Sequence, residues 1–550
     1  MVSRKTKTQS SGCRKMSKHR SGEREVTMRK KQFFGVIIII IVLSLFFGGI
    51  VGTYLGAQSQ NDEGITYKIR LFMKIIKSVE KNYFKQVELG ELLDYAIRGM
   101  LRSLDPHTVY LDRDDYNELI VGTKGSFGGL GIQIGIREDV LTIITPIEGT
   151  PAYNAGLLAG DKIVEIEWIS TKGITLQGAV KKLRGKSGTK VTIGIEREGI
   201  KDVTHFTITR DIIKVKAVPY SGMVDEEIGY IRLSTFSETS PDEFVHAIDS
   251  LTQEGANKLI IDLRNNSGGL LKAAIEVSDN FIDKGKIIVL TKGRKIGTSK
   301  EYYAKKHSKY KEPPIVILVN HGSASASEIF SSAIKDWDRG LILGTKTFGK
   351  GSVQQVIPLD HESALKITTA IYYSPSGRSI DTEVNDSKYR KSIGVDKEEE
   401  DTTTYYTRRL KRKVYGGGAV TPDIVIESPK ISELETKIYQ KGLFLTFTVD
   451  FTSKHKIEKG FSVDKAMLNS FKNYLRKKKI EFTDKEFDES IEGITFGLKR
   501  NIAIKLWGIK SSYESVLMDD RQVTAAIEIL EKSETTDDLF SFIEKSKSTE

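Results

Sequence analysis

One run of small polar residues stands out for its chemistry: Asn320-His321-Gly322-Ser323-Ala324-Ser325-Ala326-Ser327-Glu328. It follows an apolar, β-branched run, Ile315-Val316-Ile317-Leu318-Val319, that reads as a buried strand. After it, Ile329, Phe330, Ala333, Ile334 and Trp337 recur at helical spacing. The small residues therefore sit at a strand-to-helix junction, where unpaired backbone N–H groups can hold a developing oxyanion. A serine there is a candidate nucleophile if a base takes its proton. Downstream, Thr347-Phe348-Gly349-Lys350-Gly351-Ser352-Val353-Gln354 offers Lys350 as that base, provided burial depresses its amine. If Lys350 leads into a strand, residues 350, 352 and 354 share one face, and Lys350 and Gln354 point at the same place. A Ser/Ala-rich helix start alone would be an ordinary cap. The second stretch, in the right order, is what outweighs that reading. A Ser-His-Asp triad fits poorly, because His321 lies only four residues before Ser325 and His107 belongs to an Asp-Pro-His-Thr turn where pairing with backbone is expected.

Together the two stretches resemble the signatures of the C-terminal processing peptidases, the tail-specific serine proteases of peptidase family S41 that use a Ser-Lys dyad. The resemblance implies Ser325 as nucleophile, Lys350 as base and Gln354 as the residue orienting the lysine. Asp262-Leu263-Arg264-Asn265-Asn266-Ser267-Gly268-Gly269 resembles the family's glycine loop. The implied oxyanion donors are then the Ala326 N–H and that of either Gly268 or Gly269. Leu104-Asp105-Pro106-His107-Thr108 resembles its entry motif, and Tyr372 to Ile380 and Thr421 to Ile424 resemble the end of its core. Asp336, eleven residues after Ser325, is expected to be structural or to support the reacting groups from behind, the base being Lys350.

Residues 122–212 change character. Ile132, Ile134 and Ile136 alternate, and strand-like runs follow at Val140–Ile147, Lys162–Ile169, Lys190–Glu198 and Thr204–Ile213, with a helical stretch from Thr175. This unit resembles a PDZ domain, with Gly129-Leu130-Gly131-Ile132 as its carboxylate-binding loop and Gly160-Asp161 as a hallmark. Such domains capture a peptide C-terminus as an added strand. Leu176, Val180 and Leu183 are then expected beside the terminal side chain. One departure is Glu165 to Ser170, which lacks the usual Asn-Gly turn.

From Gly229, strands and helices alternate, which argues for a mostly parallel sheet. The expected fold class is α/β and β multidomain: a crotonase/Clp-protease-like core with an inserted PDZ-like β domain, N-terminal helices and a helical C-terminal extension, after one transmembrane helix. The expected boundaries are a basic cytoplasmic tail at 1–31, a transmembrane anchor at 32–57 and an N-terminal helical region at 62–121. The PDZ-like domain at 122–212, the protease core at 213–430 and the helical extension at 431–550 follow. A charged insertion at 381–416 reads as a solvated, mobile excursion. In the extension, Ile431, Leu434, Ile438 and Leu443 are expected to begin one amphipathic face.

The net charge of +11 invites a nucleic-acid reading, but residues 1–31 alone hold 11 basic and 2 acidic residues. The remainder is close to neutral, so no nucleic-acid surface is implied. The uncharged stretch 33–56 spans about 36 Å as a helix, enough to cross a bilayer of roughly 30 Å. Its length favours an anchor over a cleaved signal peptide, and the basic flank puts the N-terminus in the cytoplasm and the rest across the membrane. The one cysteine, Cys13, lies in the tail, which excludes a thiol protease and a Cys-based zinc site. No cofactor or metal is expected. Substrate protein tails and the membrane are the expected partners, and a homo-oligomer would suit a helical appendage. The rival readings are a silent PDZ scaffold at the membrane, for which a Ser-Lys-Gln set would be idle, and a crotonase-like acyl-CoA enzyme, for which a PDZ-like unit would be.

Overall fold

The computed structural model describes residues 64–382 and 403–547, apart from 198, 311 and 312. The basic tail, the expected anchor at 32–57 and Cys13 lie outside the described residues. Among the described residues, no helix is long and apolar enough to cross a membrane. The chain divides into two compact units, 1–99 and 100–550. A helix over 64–82 and most of Leu89–Arg102 fall in the first.

In the second unit a six-stranded sheet runs in the order Tyr220–Met223, Ile228–Arg232, Lys258–Asp262, Ile315–Val319, Leu341–Gly344, Ile424–Val425. Its pairings are parallel except at the first edge. Lys258–Asp262, Ile315–Val319 and Leu341–Gly344 are buried at every residue, as strands sandwiched between two layers must be. One layer comprises the helices Ser240–Gln253, Leu271–Ser278 and Ala326–Asp336, whose Phe244 and Phe330 pack edge to face with each other and with Phe281, just beyond the second helix. The other comes from the far end of the chain. Helices Arg521–Glu531 and Asp538–Lys547 set Val523, Ile527, Leu530 and Leu539 against Tyr230, Ile260, Val316 and Leu343.

A second sheet places Ala364–Tyr373 between Val109–Leu111, Ile287–Lys292 and the hairpin strand Ser352–Pro358. That hairpin carries Gln354.

The PDZ-like unit has strands Ile132–Arg137, Val140–Pro146, Lys162–Ile166, Lys190–Glu196 and Thr204–Thr209 in that spatial order, and the helix Leu176–Leu183. Two expected strands break. Thr204–Ile213 divides at Arg210, and Asp211–Lys214 pairs instead with Ser126–Gly129, closing the unit at its neck. Lys162–Ile169 is a hairpin turning at Glu167 (φ 52°) and Trp168 (φ 64°). A two-residue turn needs left-handed backbone at both centres, so the turn survives without Asn-Gly at the cost of strain. Trp168 stacks on His205 at 4.4 Å, and Glu167 Oε1 accepts from Thr192 N at 2.7 Å.

Residues 433–514 form a helical lobe around Phe444, Phe447, Phe471 and Leu498. Ile431 is 65% exposed and lies ahead of the Ser432 cap, and Leu443 opens a second helix after left-handed Gly442. The expected single face is therefore two helices without Ile431. The lobe lies against the PDZ-like unit: Lys478 Nζ is 2.6 Å from Glu138 Oε1, and a Cβ on Gly160 would stand 2.6 Å from Val449.

The charged insertion needs correction over 403–416, its middle being outside the described residues. Arg412 is clamped by Asp338 (2.7 Å) and Asp423 (2.8 Å), and Arg408 reaches the Pro375 carbonyl. Both carboxylates are buried, and a buried charge needs a partner; Lys335, 2.9 Å from Asp423, supplies the other.

Candidate active site

The strand Ile315–Val319 ends in a turn whose hydroxyls are divided by role. Ser323 is buried, and its Oγ donates to the Leu263 carbonyl at 2.8 Å. Ser327 is buried too and donates to the Asn266 carbonyl at 2.8 Å. Both therefore hold the neighbouring loop. Ser325 between them is half-buried, at φ 55° and ψ −111°, as the residue before the helix Ala326–Asp336. A non-glycine residue rarely adopts such a backbone, and strain of this kind collects at functional turns.

The loop 264–269 packs directly on that turn. A Cβ on Gly268 (φ 102°) would stand 2.9 Å from both Ala326 N and Ser325 Cβ, so only glycine allows the approach. Gly268 N–H donates to Asn266 Oδ1 at 2.9 Å. Of the two glycines, Gly269 is thus the one whose N–H is not spent on Asn266.

Glu328 joins the two sequence motifs. Its carboxylate is buried at the third position of the helix and accepts four hydrogen bonds. Oε2 takes Ser325 N at 2.8 Å and Lys350 N at 2.9 Å; Oε1 takes Gly349 N at 2.7 Å and Thr347 Oγ1 at 2.6 Å. The backbones of Ser325 and Lys350 are therefore bridged by one oxygen atom. Burial pushes the Glu328 carboxyl up to about 7, although each of these donors pulls it down. The sequence signal was present: a Glu three residues after a serine cap is a capping box. Nothing local to the helix says that the same carboxylate also reaches residues 347–350.

Lys350 is half-buried just before the strand Ser352–Pro358. Gln354 Nε2 donates to Ser352 Oγ at 2.7 Å, as alternation along the strand predicts for that pair. His107 lies in the expected Asp-Pro-His-Thr turn. Its turn is tied by Asp105, which accepts from His107 N (2.8 Å) and Thr108 Oγ1 (2.6 Å), and Thr108 Oγ1 in turn accepts from Thr368 N at 3.2 Å. The imidazole is held below its ordinary pKa first by burial and then by the charge of Lys350. Asp336 is buried and structural, binding Arg378 at 2.7 Å and Ser376 N at 2.9 Å.

At the PDZ-like unit, the carbonyls of Leu130 and Gly131 accept from Ala152 N (2.9 Å) and Ile147 N (2.8 Å), which fixes the expected loop 129–132 from behind. Ile132–Arg137 is an edge strand of its sheet. Leu176 is 43% exposed and Val180 half-buried. Leu183 and Leu130, by contrast, are packed in the unit's own core, so their side chains do not line an open pocket. The helix turns Leu183 inward with Ala179, four residues before it.

Residues 227–387 match the model of Peptidase family S41, and 142–197 match that of the PDZ domain. Residues 53–115 match the Activating protease CtpB N-terminal domain, and 435–508 match a family of unknown function. The carboxy-terminal-processing protease of Bartonella bacilliformis is 42% identical over 348 residues, covering 62% of this chain and 80% of that one. The carboxy-terminal processing protease CtpA of Bacillus subtilis is 32% identical over 84% of this chain and 98% of its own. Among solved structures, the photosystem II D1 C-terminal processing protease is 27% identical, covering 68% of this chain and 96% of that one, with a TM-score of 0.35. With such identity over most of its length, the chain belongs to peptidase family S41 and is a serine-type carboxy-terminal processing peptidase.

Proposed function

We propose that Ser325 is the nucleophile of this peptidase, Lys350 the base that takes its proton, and Gln354 the residue that orients the lysine. The observation that carries the reading is the Glu328 carboxylate, whose one oxygen holds Ser325 N at 2.8 Å and Lys350 N at 2.9 Å. The neutral Lys350 amine accepts the Ser325 hydroxyl proton as Oγ attacks the scissile carbonyl carbon. The N–H groups of Ala326 and Gly269 take the oxyanion, and the ammonium then returns the proton to the leaving amine. Water repeats the sequence on the acyl-enzyme. The test is active-site labelling. A fluorophosphonate should modify Ser325 in the intact chain and fail to label Ser325→Ala or Lys350→Ala. Labelling that persists at another serine in Ser325→Ala would remove the assignment.

The PDZ-like unit selects substrates by their free C-terminus, which adds to the edge of Ile132–Arg137 with its carboxylate on the Leu130–Ile132 N–H groups. Its terminal side chain lies beside Leu176 and Val180. The segment 33–56 anchors the enzyme, with the basic tail in the cytoplasm and the peptidase across the membrane. Protease added outside spheroplasts should then digest residues beyond 60 and spare the tail around Cys13. A mature N-terminus near Gln58 would show a cleaved signal peptide instead.

A further inference from the structure

We infer that Asp520 and Gln522, at the start of the helix Arg521–Glu531, are positioning residues for the loop 264–269 that backs Ser325, so that the C-terminal segment belongs to the catalytic apparatus. The inference rests on the reading of Ser325 as nucleophile. Its starting point is Arg264, four residues before Gly268. The guanidinium is mostly buried, with 14% of the side chain exposed, and uses all its nitrogens. Nη2 reaches Asp262 Oδ2 at 2.7 Å, and Nε lies 3.0 Å from Asp262 Oδ1. Nη1 reaches Asp520 Oδ2 at 2.7 Å and Gln522 Oε1 at 2.9 Å.

Asp262 is shared with Arg232 (2.7 Å) and with the Tyr230 hydroxyl, which donates at 2.6 Å. Two arginines and two aspartates thus balance in a site from which water is largely excluded. Burial pushes the Asp262 carboxyl up, but the charges of Arg264 and Arg232 outweigh it and hold it well below the carboxylate range. Removing Asp520 leaves one positive charge uncompensated, and a buried unpaired charge drives rearrangement.

The rearrangement has a short path to the reacting atoms. Arg264 N donates to Asp262 Oδ1 at 2.8 Å, and the next residue, Asn265, donates its N–H to Asn320 Oδ1 at 2.8 Å. Asn266 then holds the Gly268 N–H, and Gly268 touches Ser325 and Ala326. The other end of the lever is rigid. Asp520 also caps its helix through Gln522 N (3.0 Å) and Val523 N (3.2 Å), and Gln522 Nε2 donates to the Ile426 carbonyl at 2.6 Å. Val523, Ala526 and Leu530 are fully buried against the sheet, which prevents the helix from following a displaced arginine.

The experiment uses the full chain and a fluorogenic peptide with a free apolar C-terminus, and measures kcat, KM, Tm and the fluorophosphonate labelling rate. Asp520→Ala/Gln522→Ala should lower kcat and the labelling rate by about tenfold or more, with KM within about twofold, because the loop acts on the oxyanion and not on the bound tail. Asp520→Glu, which keeps the charge, should recover most of kcat. The comparison is Asp538→Ala, which loosens the turn leading into the next helix, where Asp538 accepts from Thr535 N (2.8 Å) and Glu534 N (3.1 Å) without touching Arg264. It should lower Tm and leave kcat unchanged. An unchanged kcat in the double variant, or an equal loss in Asp538→Ala, overturns the inference. Should the double variant not fold, Gln522→Ala, which keeps the ion pair, must still lower kcat by about threefold; an unchanged value overturns it equally. Cleavage by Ser325→Ala would instead sink the nucleophile assignment on which the inference stands.

Discussion

The Ser325 turn and the PDZ-like unit hold their backbone in opposite ways. At the turn the polar side chains around Ser325 are committed: Glu328 takes four donors, Ser323 and Ser327 fasten the glycine loop, and Asn266 holds Gly268. In the PDZ-like unit the corresponding backbone is fixed only from behind, and the strand Ile132–Arg137 keeps an edge open. The difference follows from the task. An oxyanion forms at one point and is stabilised only by donors already aimed there. A substrate tail brings its own backbone donors and acceptors, so an unpaired edge suffices.

The largest effects should come from the turn. Ser325→Ala, Lys350→Ala and the double variant should each lower kcat by roughly 10⁴-fold or more, equally, because residues acting as one unit are non-additive. Lys350→Arg should be as inactive, since arginine stays protonated. An active Lys350→Arg would shift attention to His107, whose imidazole feels the charge of Lys350.

Next is Glu328→Gln, which keeps one acceptor oxygen and sets its amide N–H₂ against two of the four donors. A roughly 10- to 100-fold loss of kcat is expected, with about 1–3 kcal/mol of stability. The pH dependence distinguishes this from general damage. Between 4.5 and about 7, folded Glu328 keeps a proton that the unfolded chain has released. Its contribution to stability is therefore full below 4.5 and is lost as pH rises through about 7, a change on the order of 3 kcal/mol. Activity should run the other way, because only the ionised carboxylate accepts all four donors. Denaturant midpoints across this range should show the slope in the wild type and not in Glu328→Gln; an unchanged slope in the variant would place the titration elsewhere.

At the PDZ-like unit the effects should be smaller and confined to recognition. Amidating the substrate's C-terminus, or Ile132→Asp, should lower kcat/KM by about tenfold, about 1.4 kcal/mol, and leave fluorophosphonate labelling of Ser325 unchanged. Equal cleavage of acid and amide peptides would mean that the open edge reads something other than tails. Smallest is Glu138→Ala. The pair with Lys478 joins the PDZ-like unit to the helical lobe but is exposed, so less than about 1 kcal/mol and less than about a twofold change in kcat/KM should follow. A larger loss would show that this contact sets the unit's orientation.

Much of this was legible in the chain. Ile315–Val319 has the bounds its apolar run implied, and the alternation after Gly229 is a mostly parallel sheet. What the residues hid were partnerships across long separations. Arg408 to Lys413 looks like a solvated charge run until Asp338 and Asp423 lie beneath it. Leu183 has the spacing of a pocket residue, but the helix turns it into the core.

By itself, then, the order of residues determined the reaction class, the serine and lysine worth testing, and the succession of a helical, a β-rich and an α/β part. These rest on local periodicity and contiguous motifs, which every segment carries with it. Only the tertiary structure decided that Glu328 bridges Ser325 and Lys350, that the charge of Lys350 reaches His107, and that the last helices complete the protease core. Each depends on where a buried charge or an apolar face finds its complement, and complements are matched by burial and distance, not by position along the chain.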